Sequence, residues 1–561
     1  MIRAPVEAER STSGAAVLRL ITSIHHEFSN RMATKEYKLD LPIILSAISG
    51  ALLALCLPRP GLCPLGWFAI APLLFLATRA SSYRRCALIG WLFGFGFWGT
   101  GFYWVYSTCR FAEIPRPAAF LAWALMCGIF ALSWALFAGG VRWAWKSFAP
   151  QSWPWMCALM WTALEFVCDR FFPYIGALPL GYTQWRYLSL IQGISWAGPH
   201  SLGFLIILIN GIWALAATSR LDAPDLRQRR SFVVTSRAAI GICLAWWGMG
   251  LWTLSGRVLS EAAGTLRRVA ILQPDVDQYH KWDEKFANEI RANIGELTTA
   301  AAQRHPNLIV WPESSLPDWL DAPENKRWLG GLFKKDQTYQ LIGALTRTQP
   351  PHSAPGMPPF SDRQYNSAAL FDPAGREIGE YHKRRLVPFG EFVPWRIVTS
   401  KIIGLFNQMG DLDAGSLYQI PLPAPMGRLG LTICYEAVFP SLSRLNAAAG
   451  ADVLVNLTND GWYKDTWAPY QHFYVNIFRA VENRRPVIRA ANTGISGAID
   501  PYGAVIARLD LGQRGVLSAE VPMGLFPEGS FYSRHGDWFG WLCLFGTIAA
   551  LSAGLWRELI V

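Results

Sequence analysis

Two kinds of hydrophobic pattern divide the chain. Long apolar runs follow one another at about 41–57, 64–78, 86–108, 118–140, 155–168, 188–217 and 238–255, and a last one, Trp538 to Trp556, closes the sequence. A bilayer core takes about 20 apolar residues of α-helix. The runs therefore predict eight membrane spans, of which the first, second and fifth are short by that rule. Residues 262–525 read differently. Short β-rich runs, "RRVAILQ", "NLIVWPE", "YQLIGALT", "NSAALFD", "LGLTICYE", "DVLVNLTND", "PVIRAAN" and "GAID", alternate there with helical segments. That alternation predicts a layered α/β domain with its sheets buried between helices. The turn signals "DPAG" (372–375) and "DPYG" (500–503) predict hairpins, and the Pro-rich stretch 350–361 predicts a surface loop.

Charge orients the spans. Basic residues gather in the N-terminal segment (Arg19, Arg31, Lys35, Lys38), after the second run (Arg79, Arg84, Arg85), after the fourth (Arg142, Lys146) and after the sixth (Arg220, Arg227, Arg229, Arg230, Arg237). All fall on one side of an eight-span arrangement, which the positive-inside rule makes cytoplasmic. The stretch from about 257 to 537 then lies on the opposite face, the periplasm in a bacterium, and the tail with Arg557 returns. Residues 1–40 lack the apolar core of a signal peptide and read as a basic cytoplasmic tail. The resulting division is 1–40, a seven-span membrane domain at 41–256, an extracytoplasmic domain at 257–535, and the eighth span with its tail at 536–561. Hydrophobic residues make up 52% of the chain, and the +11 charge is spread over short inter-span segments. This placement argues for membrane orientation and against a nucleic-acid partner.

Three positions in the polar stretch put a reactive side chain just beyond an apolar strand. Of ten cysteines, only Cys434 lies in that stretch, at the end of "GLTIC". A thiol where a strand turns into a helix gains from the N-terminal N–H groups, and the N–H of Tyr435 is placed to donate to an oxyanion. The bland alternative is a small buried hydrophobe. Glu313 follows "LIVWP" and suits a general base, or equally a loop carboxylate capping the next helix. Lys383, in "GEYHKRRLVPFGEF", suits thiolate or oxyanion stabilisation, or a solvated basic face shared with Arg384 and Arg385; Glu391 suits a partner for such a cation. No Cys or His pair has metal-ligand spacing, so no metal is expected.

Taken in chain order, "WPES", "YHKRRLVPFGE" and "ICYE" resemble the Glu–Lys–Cys acyl-transfer centre of the nitrilase superfamily. With the eight spans they resemble one branch of it, the bacterial apolipoprotein N-acyltransferases. The resemblance implies a polytopic α-helical membrane domain joined to a nitrilase-like αββα sandwich. It implies that Glu313 deprotonates Cys434 and that the thiol takes an acyl chain from a phospholipid of the membrane. Lys383 and the Tyr435 N–H stabilise the oxyanion, and the thioester passes to the N-terminal amine of a diacylglyceryl apolipoprotein in ping-pong fashion. No cofactor is implied. Glu391, Tyr435, Glu436 and Trp282 match supporting or substrate-binding positions. The apolar stretch 391–410, with Phe392, Trp395, Ile402, Ile403, Leu405 and Phe406, suits either an interfacial lid or a packed helix. Glu165, Asp169 and Arg170 suit a headgroup contact or mark the membrane edge. Two rivals stand beside this reading: a membrane-tethered amidase that hands the thioester to water, and a transporter or scaffold with an inactive domain.

Overall fold

A computed structural model describes residues 40–172, 178–221, 226–256, 264–348, 363–393 and 411–560. The Pro-rich stretch 350–361, most of 391–410 and the tail lie outside the described residues.

Each apolar run of the sequence contains a helix. In the N-terminal half these are α1 (Asp40–Ala54), α2 (Ala71–Arg79), α3 (Tyr83–Gly101), α4 (Trp104–Phe111), α5 (Arg116–Ser147), α6 (Trp153–Phe171), α7 (Ser201–Leu221) and α8 (Leu226–Ser255). Among the described residues, Arg116–Ser147, Ser201–Arg220 and Phe232–Ser255 are long and apolar enough to cross a bilayer, and α3 with α4 makes a fourth if that pair, bent by 50°, is one span.

Besides the run at 86–108, split between α3 and α4, two more runs differ from the expected single helices. The run at 188–217 breaks into the turns Leu188–Ile191 and Ile194–Ala197 before α7, because Gly198 (φ 82°) precedes Pro199 and stops the helix. The run at 64–78 holds a 3₁₀ turn, Cys63–Trp67, and only nine residues of α-helix. Helices α1, α3 and α5 pack backbone to backbone. A Cβ on Gly50 would lie 1.9 Å from the Phe93 carbonyl oxygen, and one on Gly90 2.4 Å from that of Trp134.

The α/β half contains two six-stranded sheets. The first comprises β1 (Thr265–Gln273), β2 (Leu308–Val310), β3 (Gln340–Thr348), β4 (Arg363–Phe371), β5 (Glu377–His382) and β12 (Gly515–Met523), in the order β12-β1-β2-β3-β4-β5. The second comprises β6 (Leu422–Ala424), β7 (Gly427–Ile433), β8 (Val453–Thr458), β9 (Val487–Ala491), β10 (Ser496–Ile499) and β11 (Val505–Leu509), in the order β11-β10-β9-β8-β7-β6. Pairing is parallel at the centres, β1 with β2 and β2 with β3, β7 with β8 and β8 with β9, and antiparallel outside. Val269, Ile271, Leu308 and Val310 meet Leu431, Ile433, Val455 and Leu457 between the sheets. Helices α9 (Ala287–Ala302) and α10 (Pro323–Asp336) cover the first sheet through Ile290, Ile294, Leu329 and Leu332. Helices α11 (Pro440–Ala448) and α12 (Ala468–Asn483) cover the second, giving the αββα order, and α13 (Trp538–Ile560) ends the described chain.

Both expected hairpins form for one reason. Asp372 Oδ1 accepts from the N–H groups of Ala374 and Arg376, Asp500 Oδ1 from those of Tyr502 and Ala504, and the glycine closing each turn has φ of 77° and 90°. Helix α12 is buried on nearly every side, since it covers the second sheet and also meets the N-terminal half. There Tyr182 stacks on Phe478 at 4.1 Å, and Trp104 Nε1 donates to Gln471 Oε1 at 3.2 Å.

Candidate active site

The parallel strands at the centre of each sheet end on the same side, and the site lies beyond those ends. Pro312 stops β2, and the chain turns through Ser314 at φ 45°, leaving Glu313 buried at the strand tip. Strand β3 makes room by carrying Gly343, where a Cβ would lie 2.2 Å from the Pro312 carbonyl oxygen. Lys383 follows β5 directly and is 1% exposed. Cys434 follows β7, opens the five-residue 3₁₀ turn Cys434–Val438, and has φ 54°. A non-glycine residue in that left-handed region costs roughly 1–2 kcal/mol and must be held by its surroundings.

A hydrogen-bonded cluster ties Glu313, Lys383 and Glu391 together. Lys383 Nζ lies 2.8 Å from Glu391 Oε1 and 3.3 Å from Glu313 Oε1. Asn366 Nδ2, from β4, donates to the same two oxygens at 2.8 and 2.7 Å. The other Glu313 oxygen accepts the Asn459 N–H at 2.8 Å, and Glu391 Oε2 accepts that of Val387 at 2.8 Å. Burial works against the Lys383 ammonium, but Glu313 and Glu391 outweigh it and hold its pKa well above the usual lysine range. Lys281, also buried, donates to the Glu313 backbone carbonyl at 3.1 Å, and burial lowers its pKa to about 8.

The thiol departs from the sequence expectation. Cys434 begins a short 3₁₀ turn rather than an α-helix, so the dipole of a long helix is missing. Burial, then the charge of Glu313, push its pKa up to about 12, with Lys383 opposing. At neutral pH that leaves roughly one thiolate in 10⁵, so the thiol needs a base at the moment of attack. Glu313 and Lys383 lie within electrostatic reach of Cys434, a carboxylate that raises the thiol pKa and an ammonium that lowers it.

Behind Cys434 the turn is fixed by polar groups. Glu436 is fully buried: its Oε2 accepts from Ile433 N and Tyr381 Oη at 2.7 Å each, and its Oε1 from Arg384 N at 2.5 Å and Arg385 N at 2.9 Å. Asn456 Nδ2 donates to the Cys434 carbonyl at 3.1 Å. Asn456 in turn is held by Arg489, which pairs with Asp460 at 2.7 Å. Burial would raise the Asp460 pKa, but Arg489 and His472 bring it down to about 2.

The structure thus gathers Glu313, Lys383, Glu391, Cys434 and Glu436 into one place, with Tyr435 beside them, its ring edge-on to Phe439 at 4.8 Å. Trp282 closes the short turn His280–Trp282, next to Lys281. Glu165 and Asp169 are placed apart from the cluster: they flank buried His200, at 3.2 and 3.8 Å, while Arg170 is exposed. Sequence reasoning passed over Asn366, Asn459 and Lys281. Asn459 carried the same signal as Glu313 and Cys434, a polar residue directly after an apolar strand, in "LVNLTND".

Comparison with known proteins agrees with the two-part architecture. Residues 268–527 match the carbon-nitrogen hydrolase family, and residues 49–212 match the apolipoprotein N-acyltransferase N-terminal domain. An apolipoprotein N-acyltransferase of Geobacter metallireducens is 34% identical over 521 residues, covering 91% of this chain and 95% of that one. Another, of Azotobacter vinelandii, is 34% identical over 503 residues, covering 88% and 92%. The crystal structure of a carbon-nitrogen hydrolase from Helicobacter pylori aligns with 46% of this chain and 89% of its own, at 19% identity and a TM-score of 0.34. With a relative at that identity spanning both halves, the chain belongs to the apolipoprotein N-acyltransferase family.

Proposed function

We propose that the chain is a membrane enzyme that acylates the N-terminal amine of S-diacylglyceryl-cysteine lipoproteins, taking the acyl chain from a phospholipid through a thioester on Cys434. Glu313 removes the thiol proton as Sγ bonds to the ester carbonyl carbon. Lys383 and the Tyr435 N–H face the oxyanion. The carbonyl–oxygen bond breaks, Glu313 returns the proton to the departing oxygen, and a lysophospholipid leaves. The acceptor amine then attacks the thioester, losing its proton to Glu313 while the carbon–sulfur bond breaks and the thiol is restored. Ester, thioester and amide exchange in turn without a cofactor. Glu391 keeps the Lys383 ammonium in place, Glu436 keeps the nucleophile's turn, and Trp282 is the counterpart of the family's aromatic residue near the substrate entrance.

The observation that carries this reading is the likeness of the N-terminal half, residues 49–212, to the N-terminal domain of these acyltransferases. The Glu–Lys–Cys cluster alone serves transfer and hydrolysis equally, since only the second nucleophile differs. In this reading residues 41–256 and 536–561 form eight spans of a bacterial inner membrane, residues 1–40 are a cytoplasmic tail, and residues 257–535 face the periplasm.

The test is intact-mass analysis of the purified protein after incubation with phospholipid, for wild type and Cys434→Ala. The expected result is a gain of one acyl chain on wild type, released by neutral hydroxylamine and absent from the variant. A diacylglyceryl peptide should then take up the acyl group as an amide. Release to water with no peptide product would make the enzyme a hydrolase, and the absence of any adduct or lysophospholipid would remove the acyl-enzyme altogether.

A further inference from the structure

The strained turn that carries Cys434 is held from one side by a residue outside the cluster. Arg479, on α12 and 1% exposed, donates through Nη1 to the carbonyls of Ala437 and Val438, at 3.2 and 3.1 Å. These are the last residues of the five-residue turn that Cys434 opens, and helical turns leave such carbonyls without intrahelical donors. The other guanidinium nitrogen, Nη2, is fixed by Glu482 Oε1 at 2.6 Å and by the hydroxyl of Tyr182. Tyr182 belongs to the N-terminal half, in the 3₁₀ turn Leu180–Gln184, and its ring stacks on Phe478 one residue before the arginine. Tyr182 Oη also reaches Glu482 Oε1 at 3.5 Å, and Glu482 has no exposed surface. The nucleophile's turn is therefore gripped by an arginine whose own orientation is set partly by a side chain of the other half of the molecule.

We propose that Arg479 is a positioning residue for acyl-enzyme formation, and that through Tyr182 it makes the placement of Cys434 depend on how the two halves dock. This rests on the reading of Cys434 as the nucleophile. A planar guanidinium suits the task, because one fork serves two carbonyls while the other is anchored to a carboxylate and a phenol. A displacement of about 1 Å in a reacting atom is enough to cost about 10²-fold in rate. Loosening this grip therefore slows chemistry without touching the lipid.

The experiment is single-turnover acylation of the full-length protein by phosphatidylethanolamine in detergent micelles, for wild type, Arg479→Gln, Arg479→Lys and Tyr182→Phe. A first-order rate constant does not depend on the fraction of folded enzyme, so a merely structural role lowers the amplitude and leaves the rate constant alone. The expected result for Arg479→Gln is a rate constant about 10- to 100-fold lower at saturating lipid, with the half-saturating lipid concentration within about twofold of wild type. Arg479→Lys keeps the charge and part of the donor set and should recover part of the loss. Tyr182→Phe removes one hydroxyl and should slow acylation about threefold or more. A smaller loss than tenfold in Arg479→Gln, or a raised half-saturation at an unchanged rate constant, overturns the proposal. If Arg479→Gln does not fold, Tyr182→Phe decides, and a loss below threefold there overturns it. A wild-type enzyme that forms no thioester removes the functional reading and this proposal with it; a wild type that does so while the variants match it removes this proposal alone.

Discussion

The ends of β2 and β7 each bring a buried carboxylate to the same cluster, and the two are held in different ways. Glu313, beyond β2, accepts mainly from side chains: Lys383 and Asn366, both of which also bond to Glu391, share its Oε1. Its Oε2 has one donor among the described residues, the Asn459 N–H. Glu436, beyond β7, has two donors on each oxygen, and three of the four are backbone N–H groups. Backbone donors fix a carboxylate in one orientation, although at Glu436 burial outweighs them and raises its pKa. Glu313 retains lone-pair capacity for a proton, and its partners have a second acceptor to fall back on. In the proposed mechanism the difference separates the group that transfers a proton from the one that shapes a turn, although both are acidic residues just past a strand.

The largest expected effect follows from that contrast. Glu313→Gln keeps the shape of the side chain and removes the base, so the single-turnover acylation rate should fall by about 10³-fold or more. The half-saturating lipid concentration should stay within about threefold, because the carboxylate acts on the thiol rather than on the lipid. Acylation within tenfold of wild type would take Glu313 out of the base's role.

The thiol sharpens the comparison with an effect of opposite sign. Because burial and Glu313 raise the Cys434 pKa to about 12, the thiolate fraction grows about tenfold per pH unit across the accessible range. Alkylation of Cys434 by iodoacetamide, followed by peptide mass spectrometry, should therefore quicken about 100-fold from pH 7 to pH 9 without levelling. Removing the negative charge of Glu313 lowers the thiol pKa, so Glu313→Gln should be alkylated faster than wild type at each pH while being acylated far more slowly. A plateau below pH 8 in the wild type would instead mean a stabilised thiolate, and the base would be dispensable.

How much of this the sequence disclosed follows from how local each signal is. Glu313 and Cys434 stood out because each ends an apolar run, and Lys383 because it follows the strand after the "DPAG" turn; the structure places all three just past strand ends. The turns at Asp372 and Asp500 were legible because an Asp two residues from its own donors, followed by Gly, needs no tertiary partner. Strand β12 was not singled out: "GVLSAEVPM" alternates weakly, and its place beside β1 is fixed by a pairing some 250 residues apart in sequence, Thr265 with Met523. The helix start expected after Cys434 was not realised, for a related reason. A strand followed by polar residues resembles the start of a helix, but the chain makes only a five-residue 3₁₀ turn and buries the sulfur. In the N-terminal half, hydropathy located the helices yet missed the break at Gly198–Pro199, since apolar residues continue on both sides of it. Arg479 was invisible because its significance lies in Tyr182, 297 positions away.

The smallest expected effect on rate is also the one that closes the comparison. In Glu436→Gln one of the two acceptor oxygens becomes an amide NH₂ facing two donors, either the N–H pair of Arg384 and Arg385 or Ile433 N–H with Tyr381 O–H. At least one hydrogen bond from a backbone N–H is lost and that buried donor left unsatisfied, since the Tyr381 hydroxyl can turn to accept but an N–H cannot. The expected destabilisation is about 2–4 kcal/mol, read as a fall in the thermal unfolding midpoint. The rate constant of the molecules that remain folded should drop by less than about tenfold, because Asn456 and Arg479 still hold the turn from its other sides. An enzyme as stable as wild type yet as slow as Glu313→Gln would exchange the roles of the two carboxylates. It would mean that donor type does not separate catalytic from architectural acids in this site, and that the end of β7 supplies the base as well as the nucleophile.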